Sequence, residues 1–189
     1  TAQRPTDAEL HLGGVANDTA LYSFALALFS IGVGVGSLLC EKLSGRSVEI
    51  GLVPIGAFGI TAFLLDLYFA RPGAPPATGL TIAQFLGDRA GWRIVIDLTG
   101  IGVFTGFFVV PLFALIQSRT PRSELSRVIA GLNIQNSLFI VTAAILGVLL
   151  QMDGFSVAGL RIPLPGLSIP QVFLALAIAN GLVALWIFT

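Results

Sequence analysis

Charge is scarce in this chain. Of its 189 residues only 11% are Asp, Glu, Lys or Arg, and the ten basic residues balance the ten acidic ones; ordinary globular domains carry about 25% charged residues. With no basic excess there is no electrostatic footprint for a nucleic-acid partner. Cysteine is nearly absent too, and Cys40 alone excludes an internal disulfide. The single histidine, His11, sits in a polar leader without a convincing ligand set, so no metal and no cofactor is expected. No Ser-His-Asp set and no glycine-rich phosphate loop survives inspection, which argues against an enzyme. The first 18 residues lack a basic region followed by an apolar core, so they do not read as a secretory signal. What fills the chain instead is apolar: 55% of residues are hydrophobic and the mean hydropathy is +0.92. The expectation is an all-α, multi-pass integral membrane protein.

Five apolar segments long enough to cross about 30 Å of hydrocarbon follow from hydropathy. They run over about 19–40, 50–70, 93–118, 128–152 and 170–189, after a polar leader at residues 1–18. Ser168 and Pro170 suit a helix start for the last of them. The chain lacks an initiator Met and stops at the edge of an apolar segment, so it reads as a piece of a longer protein.

The first segment contains SIGVGVGS, with Gly32, Gly34 and Gly36 two apart. A dinucleotide-binding loop needs a strand before its glycines and a GxGxxG spacing, and neither is present. Between Asp18 and Glu41 there are 22 residues without a charge, so the glycines lie inside a span. Gly32 and Gly36, four apart, share one helix face and predict a close backbone approach by a neighbour, while Gly34 points elsewhere. Gly100, Gly102 and Gly106 repeat the small-residue spacing in the third segment.

The connections alternate in character. EKLSGRSVE and RTPRSELSR are short and hold five of the ten basic residues, whereas the other two are longer and rich in Pro and Gly. Basic density in short loops points to the cytoplasm. Tyr22, Tyr68 and Trp92 then fall at the opposite interface as an aromatic belt, with Trp186 at the cytoplasmic edge.

Ionisable and polar residues inside spans are the candidate site. Asp97 lies a few residues into the third span, where an unpaired carboxylate costs at least about 2.5 kcal/mol. Either Arg93, four residues earlier, pairs with it at the interface, or it faces a central cavity. Asp66, near the end of the second span, either reaches the interface beside Arg71 or joins the same cavity. In the fourth span Asn133, Gln135, Asn136 and Ser137 form a polar group that either bonds a neighbouring helix or lines a substrate path. The Phe-rich run FTGFFVVPLF offers apolar wall, as lipid-facing or core surface or beside an acyl chain.

At GSLLCEKLSGRSVEIGLVPIGAFGI, LLDLYFA, DLTGIGVFTGFFVVPLFALIQ and SRVIAGLNIQNSLF the chain resembles the bacterial lysophospholipid transporter family of the major facilitator superfamily, over roughly residues 21–150. The superfamily's loop pattern, Gly-x-x-x-Asp-Arg-x-Gly-Arg, is met loosely: Gly36, Glu41, Lys42, Gly45 and Arg46 supply its residue types at shifted spacing. The resemblance implies that the five spans are helices eight to twelve of a twelve-helix carrier, with residues 1–18 the polar outer loop after a missing seventh helix and a cytoplasmic gate loop at those five residues. It implies transport of lysophosphatidylethanolamine-like lipid across a bacterial inner membrane to the cytoplasmic leaflet for reacylation. The implied partners are membrane lipid, the carrier's N-terminal half and a fused or separate acyltransferase. Other expectations remain open, namely an efflux carrier for small amphiphiles or a non-transporting anchor for a fused acyltransferase.

Overall fold

The computed structural model describes residues 7–44, 51–70, 81–152, 154–157, 160–163 and 166–188. Its elements are α1 (Asp7–Ser44), α2 (Leu52–Phe69), α3 (Ile82–Gly87), α4 (Arg89–Arg119), α5 (Leu125–Gln151), β1 (Gly154–Val157), β2 (Leu160–Pro163) and α6 (Ile169–Phe188). Five of the helices are long and apolar enough to span a membrane: Thr19–Ser44 of α1, then α2, α4, α5 and α6. All five expected segments are present, with edges displaced by a few residues. The leader differs from expectation, because its described part is helical and α1 begins at Asp7.

Between α5 and α6 the Pro/Gly-rich connection holds a small antiparallel hairpin, with Gly154 opposite Pro163 and Val157 opposite Leu160. It is an addition to the all-α expectation. The start of α6 is as expected: the Ser168 backbone N–H donates to Gln171 Oε1 at 2.8 Å, so Gln171 reaches back to cover an orphan donor of the first turn.

Helix α4 is the centre of the packing, flanked by α1 and α2, with α6 on another side of α2. The α1–α4 interface is glycine against glycine. A Cβ on Gly32 would lie 3.1 Å from Gly102 Cα, one on Gly36 2.8 Å from Val103 Cα, and one on Gly106 2.7 Å from the Gly36 carbonyl carbon. Gly34 meets nothing within 4 Å. Gly32 and Gly36 therefore form a packing seam with α4, as their spacing predicts. Between lipid-facing helices such close approach replaces the hydrophobic drive that water supplies to soluble bundles.

The α2–α4 interface uses the complementary device, a ring seated over a glycine. Phe63 of α2 covers Gly100, and Phe104 of α4 covers Gly59, with the two ring centroids 5.7 Å apart. Gly100 thus serves α2 while Gly102 and Gly106 serve α1. Part of the Phe-rich run is therefore interhelical core.

Helix α6 is tied to α2 by one amide. Asn180 Nδ2 donates to the Ala57 carbonyl at 2.9 Å and to Thr61 Oγ1 at 2.8 Å. We expect Asn180→Ala to lower stability by about 1 kcal/mol, the scale of interhelical hydrogen bonds in membranes. Thermal unfolding in detergent checks this, and an unchanged midpoint would show that helix contacts alone hold α6. Helix α5, in contrast, has no buried residue and touches only α6 among the helices of the bundle to any extent.

Candidate functional site

Asp66, Arg93 and Asp97 gather at one end of the bundle. Helix α2 ends there and α4 begins there, which brings Asp66, Arg93 and Asp97 together although the first two are 27 positions apart in the chain. Arg93 Nε donates to Asp66 Oδ2 at 2.8 Å and its Nη2 to Oδ1 at 2.5 Å, a two-pronged pair with both side chains 44% exposed. The planar guanidinium matches a carboxylate in this geometry, which adds orientation as well as attraction.

This pairing decides one of the alternatives left open by the sequence. Arg93 does not take Asp97, its neighbour one turn along α4, as its hydrogen-bonded partner; it crosses to α2. Asp66 is half exposed and its carboxylate is engaged by Arg93; Arg71, the neighbour expected beside it, lies outside the described residues. The physical reason is that Asp66 offers both oxygens on the exposed side, while Asp97 is turned into the packing and is only 1% exposed.

Asp97 is the one buried charged residue among those described, and its Oδ2 has no hydrogen-bond partner there. It lies one turn along α4 from Arg93, which pairs with Asp66. Two carboxyls and one guanidinium carry a charge of about −1 when all are ionised, so the trio is complete only with a further positive charge. An ammonium group or a proton meets that need. Buried polar atoms without partners are rare because each carries a desolvation cost of about 1–3 kcal/mol. An open carboxylate oxygen in a span is therefore a functional signal.

The other candidates are not brought to this site. Asn133 and Asn136 are exposed on α5 and make no hydrogen bond to another helix among the described residues, and Ser137 Oγ donates to the Asn133 carbonyl at 2.9 Å within its own helix. Gly36 is not in a loop; it lies within α1, pressed against Val103. Glu41 and Lys42 are exposed near the end of α1, and Gly45 and Arg46 lie outside the described residues. No group of three or more metal-ligating side chains occurs among the described residues.

Beside the charged trio lies an apolar cavity of about 640 Å³ bordered by α1, α2, α4 and α6. Its walls include Tyr22, Phe29, Leu67, Leu98 and Phe173. Neither this cavity nor the role of Asn180 is legible from spacing alone, although a lone amide in an otherwise apolar segment is a usable signal for the latter.

Five membrane-length apolar helices with polar connections settle the class. The chain is a multi-pass membrane protein. Comparison with family models, characterised proteins and solved structures returns no match.

Proposed function

We propose that this chain is one half of a secondary carrier that moves a lysophosphatidylethanolamine-like lipid toward the cytoplasmic leaflet of a bacterial inner membrane, where it is reacylated. The observation that carries the reading is Asp97, buried in a span with an open carboxylate oxygen beside the Asp66–Arg93 pair. A zwitterionic headgroup brings an ammonium for the carboxyls and a phosphate for the guanidinium. The resemblance over residues 21–150 supports the same cargo. In a carrier of that superfamily the substrate path lies between two six-helix halves, so the N-terminal half is a required partner. An acyltransferase, fused or separate, would consume the delivered lipid.

The test is uptake of labelled lysophosphatidylethanolamine by spheroplasts that carry or lack the full-length chain. Gradient-dependent accumulation only with the chain present supports a carrier. Equal uptake without the membrane part, with acyltransferase activity retained, would instead favour an anchor; export of a small amphiphile without lipid uptake would favour an efflux carrier.

Orientation has its own check. With Cys40 replaced by Ser, we expect Ala83→Cys, on α3, to react with an impermeant thiol reagent in intact cells. Ser123→Cys, in the basic connection before α5, should react only after permeabilisation. Both positions are exposed in the structure, so the membrane alone decides the outcome, and labelling of both in intact cells contradicts the orientation.

A further inference from the structure

We propose that the β1–β2 hairpin is a membrane-surface anchor, whose apolar face rests on the hydrocarbon boundary of the bilayer beside the ends of α5 and α6. The strand register carries this. Phe155 and Val157 fall on one face of β1 by the two-residue period of a strand, and they are paired with Ile162 and Leu160 of β2. Cross-strand partners share a face, so one side of the ribbon is Phe155, Val157, Leu160 and Ile162, without a polar residue. The other side is Gly154, Ser156, Arg161 and Pro163. Each strand is too short to show this alone, and the pairing adds the two halves together.

The position of the hairpin decides what covers the apolar face. The Gly166 N–H donates to the Met152 carbonyl at 3.1 Å and the Leu167 N–H to the Leu150 carbonyl at 2.7 Å, which fastens the returning chain to the last turn of α5. Both feet of the hairpin therefore stand where two spans reach the surface, α5 ending at Gln151 and α6 beginning at Ile169. The polar layer of a bilayer is only about 5–7 Å deep on each side, half the difference between its overall thickness and its hydrocarbon core. A strand of four residues is about 13 Å long, so an upright ribbon would carry its apolar face through that layer into water. Laid flat, it keeps the face against lipid. Protein does not compete for the place: among the described residues neither strand packs to any extent on a helix, and the adjoining α5 has no buried residue. Met152 and Ile169, at the two feet, are both exposed and continue the apolar surface toward the spans. A two-stranded hairpin is marginal in water by itself, and lipid supplies the cover it lacks. Arg161 is placed on the opposite face, and a guanidinium matches the phosphates of a headgroup layer. Such an anchor would hold the end of α5, the helix with the least packing in the bundle.

The anchor is independent of what the protein carries, so no transport is needed to detect it. The full-length chain, with Cys40 and any other native cysteine replaced by Ser, receives a nitroxide at Leu160→Cys on the apolar face or at Ser156→Cys on the other, and is placed in nanodiscs. Power saturation compares collision with oxygen, which concentrates in hydrocarbon, and collision with a water-soluble nickel chelate. We expect the ratio of oxygen to nickel accessibility to be severalfold higher at Leu160→Cys than at Ser156→Cys. Val157→Cys repeats the measurement on the apolar face, so that one variant failing to fold leaves the test standing. Equal ratios on the two faces, whether from a ribbon in water or from one wholly submerged, overturn the proposal. Low accessibility to both reagents at Leu160→Cys and Val157→Cys overturns it as well, because another part of the protein then covers the face.

Discussion

Gly36→Leu should abolish recovery of a monodisperse folded protein from membranes, while Gly34→Leu two residues away should leave recovery and thermal midpoint unchanged. The two glycines share a helix, a composition and a depth, and differ only in facing. A Cβ at Gly36 would sit 2.8 Å from Val103 Cα and at a similar distance from its carbonyl carbon, all backbone of α4, and at Gly34 it would meet nothing within 4 Å. A side chain can rotate away from an intruder, but a helix backbone has to shift as a body. Overpacking commonly costs 1–3 kcal/mol even where side chains can move, so this site belongs at or above the top of that range. Gly106→Leu, from the opposite helix, should reproduce the loss, since its Cβ would lie 2.7 Å from the Gly36 carbonyl carbon. Size-exclusion profiles in detergent followed by thermal unfolding make the measurement. Equal damage from Gly34→Leu and Gly36→Leu would show that the seam between α1 and α4 is not what holds them together.

That seam was legible in the sequence because it depends on helix period alone: once a 22-residue uncharged stretch is read as a span, residues four apart must share a face. The five spans were legible for the same reason, as length and hydropathy fix them locally. The partner of Arg93 was not. Asp97 at i+4 and Asp66 on another helix are both within reach of an arginine, and only the placement of α2 against α4 decides between them. Asn133 and Asn136 illustrate the converse, since their spacing makes a polar stripe, yet α5 has no neighbour against that stripe among the described residues. The cross-helix amide is Asn180 instead, on α6, where Thr61 and the Ala57 carbonyl happen to face it. The hairpin between α5 and α6 was hidden because four-residue strands are too short to show alternation among Pro and Gly.

Asp97→Asn should lower uptake of lysophosphatidylethanolamine by at least about tenfold, corresponding to 1.4 kcal/mol, with stability unchanged or raised. The two parts of this expectation come from one fact. A carboxyl that is 1% exposed with an unpartnered Oδ2 gives the folded state nothing that a neutral isostere would not give more cheaply, because the amide avoids the cost of burying charge. A purely structural Asp97 would therefore be improved by the change. A carboxyl that awaits the ammonium of a headgroup would lose its purpose. Arg93→Gln separates the alternatives further. It removes the half-exposed pair with Asp66, which as a surface pair contributes only about 0–1 kcal/mol to folding, so a large effect on uptake would not come through stability.

The central claim is that Asp66, Arg93 and Asp97 form one headgroup site, and the most direct measurement is uptake by spheroplasts carrying full-length wild type, Asp97→Asn, Arg93→Gln and the double variant. Uptake is normalised to folded protein in the membrane. The account predicts a loss of at least about tenfold in each single variant and a double variant no worse than about the weaker single, the non-additivity of groups that act on one ligand. Uptake close to wild type in Asp97→Asn, or a loss that tracks a fall in folded protein, would contradict it.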